Sequence, residues 1–80
     1  MTDRQKYDIY NDMYNKSFNY TKALTDKYEK SGYTVYTVFI AVSDELTRTY
    51  FVEIEIGGSP EKYKHIRKTM TETELIKLIG

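Results

Sequence analysis

Cysteine and tryptophan are absent from the 80 residues, and proline occurs once. Without thiols the chain has no disulfide staple and no thiolate metal site. No apolar run approaches the ~18 residues that cross a bilayer, so no membrane span is expected. Met1-Thr2-Asp3-Arg4-Gln5-Lys6 lacks the apolar region of a signal peptide. With neither Cys nor signal, a cytoplasmic location is the expectation. An excess of either charge is missing too: twelve Lys plus Arg balance twelve Asp plus Glu. Dedicated nucleic-acid binders usually carry a basic excess that releases counterions from phosphates, and acidic DNA mimics carry the reverse.

Aliphatic side chains are also few. Leu, Ile, Val and Phe make up 18 of the 80 residues, just above the ~20 % below which disorder becomes the better reading. The length fits one small domain over residues 1–80, which buries only about 60–65 % of its unfolded-chain surface. Tyrosine is what the chain has in excess, nine against three Phe. Charge is uneven although it cancels. Residues 33–58 carry one basic and four acidic groups, and 59–70 carry four basic and one acidic.

Residues 3–30 contain neither Pro nor Gly and admit one long helix. Tyr7, Tyr10, Tyr14, Leu24 and Tyr28, with Met13 and Tyr20 beside them, recur at helical spacing and form one broad stripe. Asp3 and Asp8 suit the N-terminal end, Lys27 and Lys30 the C-terminal end, and Gly32 the left-handed stop. Internal Asn, Ser and Thr lower the helix propensity, and a break near residues 17–19 is admissible. Residues 33–42, rich in β-branched and aromatic types, read as a strand. Residues 43–47 read as a turn, and 48–56 as a second, sharply alternating strand. If Val42 opposes Arg48, Ile40 meets Tyr50, Val38 meets Val52 and Tyr36 meets Ile54, so the even-numbered apolar residues share a core face. The opposite face carries Val35, Thr37, Phe39 and Ala41 beside Thr49, Phe51, Glu53 and Glu55.

Gly57-Gly58-Ser59-Pro60 ends that strand. Ser59 before Pro60 could cap a helix carrying Tyr63, Ile66 and Met70. Thr69, Thr71 and Thr73 oppose a helix there, and Thr71-Glu72-Thr73-Glu74 reads as a fresh capping box. The better reading is a third strand over 62–69 and a final helix over 72–79. The fold class is therefore α+β: a long N-terminal helix packed on a three-stranded antiparallel β-meander, with a short C-terminal helix.

Chemistry-bearing motifs are scarce. Glu53 and Glu55 lie about 6.5–7 Å apart on one strand face, near the spacing of paired catalytic carboxylates. No cleft motif accompanies them, and alternating Glu on a wet face is ordinary. His65 has no second His or Cys as co-ligand, and reads as a surface residue. Gly57-Gly58 lacks the Gly-Lys-Ser/Thr of a phosphate loop. No catalytic residue, cofactor or metal is assigned, and the chain reads as a non-enzyme.

Two binding readings remain. Lys62, Lys64, Arg67 and Lys68, with Tyr63 among them, could track a nucleic-acid backbone, or could protect an edge strand from aggregation. Phe39 and Phe51, near neighbours across two strands, could form an interaction surface, or be covered by the C-terminal helix or a partner subunit. Tyr suits interfaces, offering large area with a polar tip. Tyr10, Tyr14, Tyr20, Phe39 and Phe51 are thus the candidate partner surface. A coiled-coil dimer through the first helix is weakened by Ser17 and Thr21 in its seam.

In its general look (short, neutral, tyrosine-rich, without catalytic motifs) the chain resembles accessory proteins of phages and mobile elements, although no single motif carries the likeness. The expected function is a protein-binding module that occludes or bridges a partner's surface, for example as an inhibitor of a host enzyme or defence complex. A homodimer is one version of that binding. The alternative is a small nucleic-acid-binding protein using the basic segment.

Overall fold

The computed structural model describes residues 1–80. Helix α1 spans Asp3–Lys30, strand β1 Thr34–Asp44 and β2 Thr49–Gly57. A single 3₁₀ turn at Pro60–Lys62 leads into β3, Lys64–Thr71, and helix α2, Glu72–Ile79, closes the chain. The three strands form one antiparallel sheet in the order β1-β2-β3. The architecture is the α+β one that the sequence implies.

Both ends of α1 are made by local chemistry. Thr2 caps the N-terminus in a capping box closed by Gln5, a pair that the sequence reading passed over. At the other end the Gly32 amide donates to the Glu29 carbonyl and the Tyr33 amide to the Tyr28 carbonyl, with Gly32 at φ 87°. That is the Schellman pattern, and the Tyr28 and Tyr33 rings meet edge to face across it. The admissible break at 17–19 does not occur. Ser17, Thr21 and Thr25 each turn their hydroxyl back onto a carbonyl one turn earlier, so the polar residues sit within an unbroken helix.

The core is narrow: Met13 and Leu24 from α1, Ile40 from β1, Tyr50, Val52, Ile54 and Ile56 from β2, Met70 from β3 and Leu75 from α2. Both helices therefore cover the same face of the sheet. On α1 the inward stripe is Ile9, Met13, Ser17, Tyr20, Leu24 and Tyr28. Tyr7, Tyr10 and Tyr14, read as part of that stripe, are exposed instead. At 100° per residue Tyr7 and Tyr14 lie beside the inward arc, and Tyr10 lies on its rim at the angle of Tyr28.

Three expectations for the hairpin need correction. β1 runs on to Asp44, and the turn is the four residues 45–48 with Arg48 at φ 50°, not the five residues 43–47. The pairing is accordingly Val42↔Tyr50, Ile40↔Val52 and Val38↔Ile54. Parity survives this two-residue slide, so the core face of β2 is as expected. A register irregularity between Val35 and Thr37 reverses the first part of β1. Val35 packs on the core, while Tyr36 points away and is exposed. β3 begins and ends two residues later than expected, because Pro60–Lys62 is taken up by the 3₁₀ turn. The helical alternative for this segment is not adopted.

Candidate interaction surface

The two flanks of α1 differ in chemistry. On the flank toward α2, side chains interlock. Arg48 donates to Asp12 Oδ2 (2.7 Å) and, through Nε, to Glu72 Oε1 (3.2 Å). The buried Tyr50 hydroxyl donates to Glu72 Oε2 (2.9 Å), and Tyr20 donates to the same oxygen (3.3 Å). Lys27 Nζ donates to the Leu78 carbonyl. Burial pushes the Tyr50 hydroxyl well above the usual phenol range, and the bond to Glu72 adds to that. Burial would also raise Glu72, but hydrogen bonds from Arg48 and Tyr50 outweigh it and hold the carboxyl below its ordinary value. Asp12 is lowered by its hydrogen bonds from Arg48 and Lys16.

On the opposite flank nothing interlocks. Tyr10, Tyr14 and Phe18 follow one another at intervals of four. Tyr10 stacks on Tyr14, their centroids 6.2 Å apart, and Tyr14 meets Phe18 edge to face at 5.1 Å. These rings and residues 39–42 of β1 line a groove of about 300 Å³. Tyr10 is 42 % exposed, Tyr14 47 %, Phe18 60 % and Phe39 51 %. β1 pairs only with β2, so its far edge lies open along this groove.

The candidate residues thus separate into groups. Tyr10, Tyr14 and Phe39 come together at the groove. Phe51 sits behind Phe39, ring to ring at 6.3 Å, with the Arg67 guanidinium 5.7 Å from its centroid. Tyr20 stands apart, turned inward against the Tyr50 ring and bonded to Glu72. Phe18 belongs to the groove, and sequence reasoning missed it. The signal was available in the 10-14-18 spacing. The idea that α2 covers Phe39 and Phe51 fails, because Leu75 anchors α2 on the other face of the sheet.

The basic segment does not form one patch. Lys64 and Lys68 pair with Ile56 and Val52, which places them on the helix-bearing face, and Arg67 pairs with Glu53 on the open face. Lys62 donates to the Gly32 carbonyl (3.1 Å), and Lys64 lies 5.6 Å from the Tyr33 ring centroid. On the open face His65 bonds Glu53 (2.9 Å) and Tyr63 donates to Glu55 (2.6 Å), so both glutamates are engaged. No group of three or more His, Asp or Glu is placed to hold a metal ion. No helix is long and apolar enough to cross a membrane.

Fold and surface together define a small two-layer α+β protein with a row of uncovered rings along the α1–β1 rim. Compared with known proteins, the chain matches no family model, no curated protein and no solved structure.

Proposed function

We propose that this chain is a non-enzymatic protein-binding module whose contact surface is the aromatic groove between α1 and β1. The observation that carries the reading is the run of three half-exposed rings on α1, Tyr10, Tyr14 and Phe18, beside an unpaired strand edge that also carries the half-exposed Phe39. Rings of this size are costly to leave in water, and a contiguous apolar patch with a polar surround marks interaction sites. Binding there would occlude or bridge the partner's surface without any reaction. Nucleic-acid binding has less support: the four cations face different ways, and Lys62 is tied to a backbone carbonyl.

The test is affinity capture and hydrodynamic mass with the wild-type chain and a Tyr14→Asp/Phe18→Asp variant in parallel. The expected result is a protein contact, with a foreign chain or with itself, that the variant loses. A monomer that retains nothing the variant does not also retain overturns the proposal.

A further inference from the structure

We infer that the occupant of this groove is a second copy of the same chain, joined through antiparallel pairing of the two β1 edges. This rests on the protein-binding reading and specifies its partner.

The first consideration is charge. From Thr34 to Ser43 β1 carries no ionisable group apart from the Tyr36 phenol. From Tyr7 to Thr25 the neighbouring flank of α1 is formed, at 100° per residue, by residues 7, 10, 14, 18, 21 and 25, with Asp3 on the same arc in the first turn. Those six residues are Tyr, Tyr, Tyr, Phe, Thr and Thr, without a formal charge, so Asp3 at the helix start is the one charge on this flank. A foreign partner selected by charge would find almost nothing to read here. A copy of this surface meets itself without opposing like charges.

Symmetry is the second. Irregularities in register bracket β1 at residues 35–37 and 42–44, leaving 37–42 as its regular stretch. Antiparallel pairing requires opposite residues to share a face, so a two-fold axis passes through a residue and not between two. With the axis at Phe39, Val38 opposes Ile40 and Thr37 opposes Ala41. Asp44 opposes Thr34 and never its own copy. Both long helices then lie antiparallel on the same face of a continuous six-stranded sheet, with Tyr14 and Phe18 of each facing the other helix. One pairing accounts for the open edge and for the rings above it, and it closes as an isologous dimer.

Area is the third. Four rings of 150–250 Å², each about half exposed, offer about 400 Å² per copy. That is half of the ~800 Å² per partner in a standard interface, before the strand edge, Tyr7 and the threonines are counted.

The absence of cysteine makes the test direct. Single-cysteine variants Phe39→Cys and Ala41→Cys are oxidised in the full chain. Opposed Cα atoms at position 39 would lie about 4.5–5.5 Å apart, within disulfide reach. The two copies of residue 41 would be about 13–14 Å apart along the strands, beyond it. Phe39→Cys is expected to form a disulfide-linked dimer on denaturing gels and Ala41→Cys to form none, while both remain dimers in solution. Light scattering on the wild type is expected to give close to twice 9.5 kDa. Phe39→Glu should raise the dimer dissociation constant at least about 30-fold, and Thr69→Glu on β3 should leave it unchanged. Cross-linking that ignores position, or a monomeric wild type at 100 µM, overturns self-pairing. If that monomer retains a foreign protein that Tyr14→Asp/Phe18→Asp loses, the protein-binding proposal stands without the dimer.

Discussion

The two edges of the sheet are built on opposite principles. β3 is short and charged, carrying Lys64, His65, Arg67 and Lys68, with α2 leading off its end. β1 is eleven residues long, and its only formal charge is the terminal Asp44. Natural sheets blunt exposed edges with charge, proline or cover, because an unpaired row of amides invites another strand. Here one edge is blunted and the other is left bare beneath a row of rings. A chain selected only to remain monomeric would gain from protecting both. The asymmetry therefore points to use at the β1 edge and to insulation at the β3 edge.

The sharpest way to break this comparison is to ask which side holds the fold. Leu75 on α2 is fully buried, whereas Phe18 on the groove flank is not. Leu75→Ala is expected to cost about 2–5 kcal/mol, from lost transfer energy and a residual cavity. Phe18→Ala should cost under ~1 kcal/mol at dilutions where no association occurs, since it removes an exposed ring and one edge-to-face contact. Chemical denaturation of both variants, with unchanged slopes, checks this. Equal losses would mean that the rings serve the monomer and not a partner.

Next in size is the polar network that locks α2 to β2. Glu72→Gln keeps the shape but removes the charge facing Arg48, Tyr50 and Tyr20, and should cost about 1–2 kcal/mol at pH 7. The sign of its pH dependence follows from the depressed carboxyls of Glu72 and Asp12. Groups held below their ordinary values of 4.5 and 3.8 contribute fully above those values. Their contribution is lost as pH falls through the lower folded-state values. Thermal melts should be flat from pH 7 to about 5 and then fall. Glu72→Gln should fall less steeply, and an identical acid profile would remove Glu72 as the cause.

How legible this was in the sequence depended on whether the signal was local. The helix bounds, the Gly32 stop, the Thr71–Glu74 capping box and the alternation of β2 are decided by residues within a few positions of one another, and each was readable. The Ile40–Val52 register was not, because it depends on Arg48 adopting φ 50° and tightening the turn. Nor was Tyr36, which leaves the core face only because of the irregularity beside it. At the site, Tyr10 and Tyr14 were found from their helical spacing and Phe39 from its place opposite Phe51 across two strands. Phe18 was missed although it continues the 10-14-18 spacing, because the stripe was drawn through Leu24 and Tyr28 and not along the flank facing β1. Tyr20 was included although its partner, Glu72, lies 52 residues away and nothing in the local pattern announces it.

The smallest effect on stability should come from undoing the insulation of β3, and that makes it the most informative about the edges. Replacing Lys64, Arg67 and Lys68 together by Thr removes exposed charges whose pairs are worth ~0–1 kcal/mol each, and Thr favours strands, so the melting temperature should move little. Association should change in kind. With one open edge, two copies close around a two-fold axis and stop. With two open edges, each copy can accept a neighbour on both sides, and the assembly has no closing step. The triple variant should therefore pass from a dimer to open-ended aggregates whose light scattering grows with concentration and time. Adding Phe39→Glu to that variant should return it to discrete species, because only one bare edge would again remain. If the triple variant keeps the mass of the wild type, β3 was never the protected edge, and the contrast between the two strands is compositional only.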